Sequence, residues 1–359
     1  MPSDPVELLT RLVAIDTHNP GGDEPRLCAL TADELRKRGA EVRVVEVPRD
    51  GAVGAYTLAT WGTPRLLVNA HVDTVPVNLG WSGDPFTARV GDGRVVGLGA
   101  CDTKAAIAAI LSALDGGPTP RDLAIAFTGD EERHGTVMRA LLANERDALA
   151  EVERAVVCEP TSCRAGTRHR GILWIDAAIG GRGGHSSRAD DEPAPLADAS
   201  RLAVAFAEWG QRQREVGPLG FRGMCMNIAK LDGGVAFNVI PDEATLTISV
   251  RPPPGTDVEH VREQLFSLAL DVVPRAQLAV PMANPSFHSA HPERFSPLLG
   301  IDAPIDLAFW TEAALLTTAG IDCVVYGPGD IAHAHAPDEF VPIADLVRAR
   351  DTFAQLFAT

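Results

Sequence analysis

His71-Val72-Asp73 stands directly after the apolar run RLLVNA, residues 65–70. Residues two apart on a strand point to the same side. The imidazole can therefore meet a metal ion through one nitrogen while Asp73 orients it through the other. Asp102 closes the stretch Gly97-Leu98-Gly99-Ala100-Cys101-Asp102, ahead of an Ala-rich segment. Gly129-Asp130-Glu131-Glu132 follows the apolar run LAIAFT, and Glu159 follows RAVVC. His335 lies between Gly327 and Glu339, just past CVVYG. Successive carboxylates at the end of an apolar strand repel one another and lose hydration unless cations compensate.

Each motif has a plain structural alternative. His-x-Asp occurs by chance on surfaces, Asp102 can be a helix N-cap, and the acidic run can be a solvated turn. The glycines before Asp102 lack the third glycine of a dinucleotide loop and sit in no clear β-α-β unit. What favours metal chemistry is coincidence: four separate strand-to-loop junctions end in His, Glu or Asp, and open α/β sheets bind ligands beyond the carboxyl ends of their strands. Two divalent ions bring four positive charges; Asp102, Glu132 and Glu159 cancel three, and neutral His71 and His335 cancel none. A net positive centre remains, able to polarise a carbonyl. Imidazole and carboxylate ligands without thiolate suit Zn²⁺, Co²⁺ or Mn²⁺. Of two adjacent glutamates one can bind metal and the other stay free, which makes Glu131 the candidate general base.

The elements that must position these residues alternate. Glu24 to Arg38 has a helical apolar face and a following Gly39 stop. Strands are expected at 41–47, 56–60, 65–70, 123–128 and 154–158, with a hairpin around Gly91-Asp92-Gly93 and a helix over 102–114. Such alternation predicts an α/β fold, with an open, mostly parallel sheet flanked by helices. From about residue 173 the order becomes β-α-β-β-α-β, with a strongly alternating strand at 244–251, a ferredoxin-like α+β layer inserted into the first domain. The expected domains are 1–172 and 288–359, forming the metal-binding catalytic domain, and 173–287 as the insertion.

Acidic residues outnumber basic ones 48 to 32, for a net charge of −16 over 359 residues. This argues against nucleic acid and anionic membrane as partners. The six cysteines form no C-x-x-C pair, which suits a reducing compartment. The start MPSDPVELL lacks the pattern of a signal peptide, and the longest mostly apolar stretch, Ala105 to Leu114, is too short to span a bilayer. A cytoplasmic protein is expected.

Taken together, HVDTVP, GLGACDTK, GDEE, EPT, GGRGGHSS, NVIP and GPGDIAHAHAPDE run in order along nearly the whole chain. In them the sequence resembles the aminoacylase and carboxypeptidase family of two-zinc metallopeptidases and deacylases, known as M20. The likeness is to its acetylornithine deacetylase group, and FWTEAALLTTAG with VVYGPGDIA is most similar to the acetylcitrulline branch. The resemblance implies that His71 and Glu159 hold one metal, Glu132 and His335 the other, and Asp102 bridges them. Asp73 would orient His71, and Glu131 would be the base. His335 fits the A-H-x-P-D-E pattern, and His333 does not. The insertion would be a lid and dimerisation domain, giving a homodimer, with His185 steadying the oxyanion in a neighbouring subunit's site. Asn238 and Arg251 would meet a substrate carboxylate, helped by backbone N–H groups of the Gly327–Gly329 turn. The implied activity is removal of the acetyl group from an N-acetyl amino acid: N-acetylornithine in arginine biosynthesis, or alternatively N-acetylcitrulline or another M20 deacylase or dipeptidase substrate. A cationic ornithine side chain would want an acidic partner, for which Glu312 is a candidate; it can equally support a helix N-terminus. Cys101, beside Asp102, departs from the small or polar residues often found there, and reads as a buried inert thiol. A two-metal phosphohydrolase is the competing reaction class, and it would be expected to place more Lys or Arg near these loops. A non-catalytic homologue is the third reading, opposed by the intact ligand set and base.

Overall fold

The computed structural model describes residues 3–49, 51–115 and 117–358. The chain divides into two compact units: Met1–Thr167 with Ser289–Ile305 and Thr311–Thr359, and Arg168–His288 with Asp306–Trp310.

The first unit is built on a mixed sheet. Six of its nine described strands run in the order Glu41–Arg49, Ala52–Gly62, Asp122–Thr128, Leu66–His71, Arg154–Cys158 and Asp322–Val325. The last four are mutually parallel, whereas the two at the edge pair antiparallel. The expected parallel character therefore belongs to the centre, where strands are buried on both faces and read as unbroken apolar runs. Asp122–Thr128 and Arg154–Cys158 show this, with only their first residues reaching solvent. Parallel register brings the strand ends level: His71 pairs with Thr128, and Ala70 with Cys158. His71, the Gly129–Glu132 turn and Glu159 thus leave the sheet side by side, as the carboxyl-end rule requires.

Helix Glu24–Lys37 starts with Asp23 accepting the N–H of Arg26, a side-chain N-cap. Helix Lys104–Ala113 is buried along its whole length, which its run of alanines permits, since small side chains let neighbouring elements close in. Helices Pro5–Val13 and Ile343–Phe357 pack against it. Of the helices, Pro5–Val13, Thr136–Asn144 and Ala313–Thr318 are ones that sequence periodicity does not pick out.

The second unit has the order β-α-β-β-α-β. Its antiparallel sheet places Asn227–Gly233, Glu243–Val250, Ile172–Gly180 and Gln277–Asn284 side by side. This is the ferredoxin-like arrangement. Alternation makes it one-sided. Ala244, Leu246, Ile248 and Val250 join Leu173, Ile175, Ala177 and Ile179 on the buried face, against Leu202 and Phe206 of helix Pro195–Arg212 and Val261 and Leu265 of helix Val258–Val272. No helix among the described residues is long and apolar enough to cross a membrane.

Candidate metal centre

Six side chains of the first unit converge at the carboxyl ends of its parallel strands. His71 Nε2 lies 2.9 Å from Asp102 Oδ1 and 4.0 Å from Glu159 Oε2. His335 Nε2 lies 3.2 Å from the other Asp102 oxygen, Oδ2, and 2.8 Å from Glu132 Oε1. Ligand atoms of His71, Glu131 and Glu159 all lie within 4.8 Å of one another, as do those of His71, Asp102 and Glu132. Glu131 therefore comes within ligand reach of the same cluster in which it is expected to stay free. His71, Asp102 and Glu159 are buried; Glu131 and Glu132 are half-buried, and His335 is exposed. His333 is set apart, its ring stacked on Phe340 at 4.0 Å between centroids.

The electrostatics of the cluster are those of a site short of positive charge. Burial pushes Glu131 and Glu159 well above the ordinary carboxylate range, with neighbouring carboxylates adding to the effect and His71 opposing it. Glu132 is raised by burial and by Asp102, against His335. Asp102 is held low despite its burial, because His335 and His71 both hydrogen-bond to it. Those bonds raise the histidines in turn: His71 goes well above its usual value although burial opposes it, and His335 is pushed up to about 11 by Asp102 and Glu132. These are the shifts that buried carboxylates and imidazoles in contact impose on one another. Imidazole nitrogen and carboxylate oxygen are the donors that Zn²⁺, Co²⁺ and Mn²⁺ accept, so this set fits such ions.

Local structure explains how each residue is aimed. Helix Lys104–Ala113 takes Thr103 as its N-cap residue, so Asp102 is not the cap, and its carboxylate is turned to the histidines. Thr103 Oγ1 donates to the His71 carbonyl at 3.0 Å, tying the two loops together. Gly129 is required because a Cβ there would stand 1.5 Å from Glu24 Oε2. Asp130 follows with φ 63°, a left-handed conformation that Asp tolerates better than most residues. Its buried carboxylate pairs with Arg49, which also holds Glu24, and accepts the Thr136 N–H at 3.0 Å.

Asp73 meets the His71 ring on its Nδ1 side, with its main-chain carbonyl at 2.9 Å and its carboxylate at 3.5 Å, and that carboxylate helps to raise the imidazole. The carboxylate also accepts the N–H groups of Glu131 at 3.2 Å and Glu132 at 3.1 Å, and the Asn19 amide at 2.5 Å. Asp73 thus shapes the turn that carries both glutamates. The Gly327 N–H is already donated to Thr161 Oγ1 at 3.0 Å, so it is not free for a substrate carboxylate. Gly327 serves close packing: a Cβ there would lie 2.6 Å from the Glu159 carbonyl oxygen. Gly329 has φ 84°, and a Cβ there would lie 2.6 Å from Cys101 Sγ. Cys101 is itself buried, its thiol donating to the Asp330 carbonyl at 3.4 Å and pushed well above its ordinary pKa by burial.

His185, Asn238 and Arg251 belong to the second unit. Gly184–His185 pairs with Val239–Ile240, and Ser186 N–H donates to the Asn238 carbonyl at 3.1 Å, so His185 and Asn238 are neighbours. His185 is exposed, and its Nδ1 accepts the Ser187 N–H at 3.2 Å. The same Nδ1 lies 2.8 Å from Ser187 Oγ. Arg251 is exposed just beyond strand Glu243–Val250.

Sequence reasoning assigns no role to Asn19, Arg49 or Lys104. Lys104 sits inside a quoted motif, which was the available signal. It is fully buried, donates to the Ile15 carbonyl at 2.8 Å, and its ammonium is lowered to about 8 by burial. Asn19 and Arg49 act through contacts that no local pattern announces.

The chain is similar to known proteins. N-acetyl-L-citrulline deacetylase of Xanthomonas campestris pv. campestris is 36% identical, with 96% of this chain and 94% of that protein covered. An acetylornithine deacetylase of Myxococcus xanthus is 30% identical, with 98% of this chain and 96% of that protein covered. The M20 family metallo-carboxypeptidase Sso-CP2 of Sulfolobus solfataricus has the same fold, with a TM-score of 0.77 at 15% identity, covering 99% of each chain. The family profile of peptidase family M20/M25/M40 matches residues 67–359. By that match and by its identity to these deacetylases over nearly its full length, the chain belongs to peptidase family M20/M25/M40.

Proposed function

We propose that the protein is a two-metal amidohydrolase that removes the acetyl group from an N-acetyl amino acid of the ornithine and citrulline type, in arginine biosynthesis. The observation that carries this reading is the division of Asp102: one oxygen faces His71 and the other His335. A carboxylate so placed is suited to bridge two ions. His71 and Glu159 would hold one and Glu132 and His335 the other, with Zn²⁺ favoured and Co²⁺ or Mn²⁺ as substitutes. Bound ions would supply electrophilic polarisation of the scissile carbonyl and activation of water. Glu131, half-buried and free of ion pairs to Lys or Arg among the contacts described, takes a proton from the attacking water and returns it to the leaving nitrogen. Asp73 keeps Glu131 and Glu132 in register by holding their amides.

The second unit is proposed as the lid and dimerisation domain. Its edge strand Asn227–Gly233 is largely exposed, and Phe237 is 99% exposed. His185 would donate to the oxyanion in a neighbouring subunit's site, and Asn238 and Arg251 would receive the substrate carboxylate. The protein is proposed to work in the cytoplasm.

A specific observation favours acetylcitrulline over acetylornithine. Glu312, the candidate partner for an ornithine cation, is 1% exposed and accepts from Thr128 Oγ1 at 2.6 Å. A neutral ureido side chain needs no such partner, and the 36% identical relative carries the citrulline name. The test is kcat/KM on acetylornithine, acetylcitrulline and acetyl-lysine with Zn²⁺ or Co²⁺ added, beside a phosphate monoester. Hydrolysis of an acetyl amino acid is expected. Cleavage of the phosphate ester alone sinks the amidohydrolase reading.

A further inference from the structure

Glu339 ends the segment that begins at His335, and it is 2% exposed. Its Oε1 accepts the N–H groups of Cys101 at 2.8 Å and Asp102 at 3.0 Å, and its Oε2 accepts that of Gly99 at 3.1 Å. Its carbonyl takes the Gly97 N–H at 2.9 Å. The loop from Gly97 to Asp102 lies between strand Arg94–Val96 and helix Lys104–Ala113 and contains two glycines, so its backbone has little stiffness of its own. Buried amides must find acceptors, and here one carboxylate satisfies three of them.

We propose that Glu339 is a positioning residue for the metal centre, holding the amides of Gly99, Cys101 and Asp102 so that the Asp102 carboxylate faces His71 and His335 together. This rests on the two-metal reading above. Asp102 is braced from both sides. Glu339 fixes its own amide, and just after it the Thr103 hydroxyl is bonded to the His71 carbonyl. Because the segment 335–339 also carries His335, one stretch of chain supplies a histidine and orients the carboxylate 3.2 Å away from it. Asp73 does the same for the Glu131–Glu132 turn, so each pair of acidic loops has its own buried carboxylate clamp.

The test uses the full chain stripped of metal, with Zn²⁺ affinity measured by chelator competition and amide exchange followed over residues 97–104. Glu339→Gln puts an NH₂ group against at least one backbone N–H. It is expected to weaken Zn²⁺ binding about 10–100-fold, the usual effect of removing an outer-sphere partner, and to speed exchange at Gly99, Cys101 and Asp102. Its kcat/KM should climb back toward wild type as Zn²⁺ is raised, while exchange outside residues 97–104 in the metal-free protein stays at the wild-type rate, which a merely destabilised protein would not show. Glu339→Asp keeps the acceptors on a shorter arm, so a smaller loss is expected; it carries the test if the Gln variant does not fold. A folded Glu339→Gln protein with wild-type affinity and wild-type exchange overturns the proposal. A wild-type chain that takes up no Zn²⁺ instead overturns the two-metal reading, and this role with it.

Discussion

The interiors of the two units are built on opposite principles. The first contains ten buried carboxylates among the described residues: Glu24, Glu34, Asp73, Asp102, Asp130, Glu145, Glu159, Glu312, Asp322 and Glu339. In the second, Asp198 alone among the described residues is a buried carboxylate, and it is paired with Arg201 and Arg275. The rest of that core is an apolar sheet face under two helices. Burying a carboxylate is costly unless it is paired or hydrogen-bonded. A fold that needed only stability would resemble the second unit. In the first, Asp102 and Glu159 lie in the candidate centre, and Asp73, Asp130 and Glu339 hold the loops that aim its residues, whereas Glu34, Glu145 and Asp322 are paired or hydrogen-bonded elsewhere.

The sharpest way to break this contrast is to remove divalent ions. Chelation is expected to abolish acetyl amino acid hydrolysis, and Zn²⁺ or Co²⁺ to restore it; steady-state rates before and after dialysis decide this, and a chelator-insensitive enzyme refutes the metal centre. Next in size is Glu131→Gln, for which kcat is expected to fall about 10²–10⁴-fold while metal content by elemental analysis stays at the wild-type level. Full activity in that variant would falsify the base assignment. The apolar core of the second unit, away from His185, Asn238 and Arg251, should answer only in stability. Ile248→Ala empties a site in a packed apolar face and is expected to cost about 2–5 kcal/mol, read by denaturant unfolding, with metal content unchanged; parallel loss of metal would erase the distinction between the units. The smallest effect belongs to Asp257→Ala. It deletes the side-chain cap on the Glu259 N–H at helix Val258–Val272, and about 1 kcal/mol is expected in the same unfolding experiment.

Much of the fold is legible in local pattern. Strand Glu243–Val250 alternates because one of its faces is dry, and Asp122–Thr128 is continuously apolar because both of its faces are. Helix Thr136–Asn144 is less legible, since its buried side is only Val137, Met138 and Leu141. At the candidate site, residue types at strand ends are readable, because parallel strands deliver their termini to one edge. The direction of each carboxylate is not. Asp73 is two residues from His71, and its carboxylate lies 3.5 Å from the ring as the spacing suggests; that the same carboxylate also holds the amides of a loop 58 residues further on is not readable from it. Gly327 in a glycine turn suggests free N–H groups, yet Thr161, far away in sequence, has claimed one.

The sequence by itself determines which chemistry is possible: six acid, base and imidazole side chains at strand ends, and an alternating insertion that can pack on one side only. These follow from local rules of periodicity and from the charges a metal would need. The tertiary structure alone decides that Asp102 divides its two oxygens between His71 and His335, and that Glu339 reaches back 237 residues to hold the Asp102 amide. It also decides that Glu312 turns inward to Thr128. The physical reason is that such contacts depend on sheet register and loop path, which bring distant segments within hydrogen-bonding distance and which no short stretch of sequence encodes.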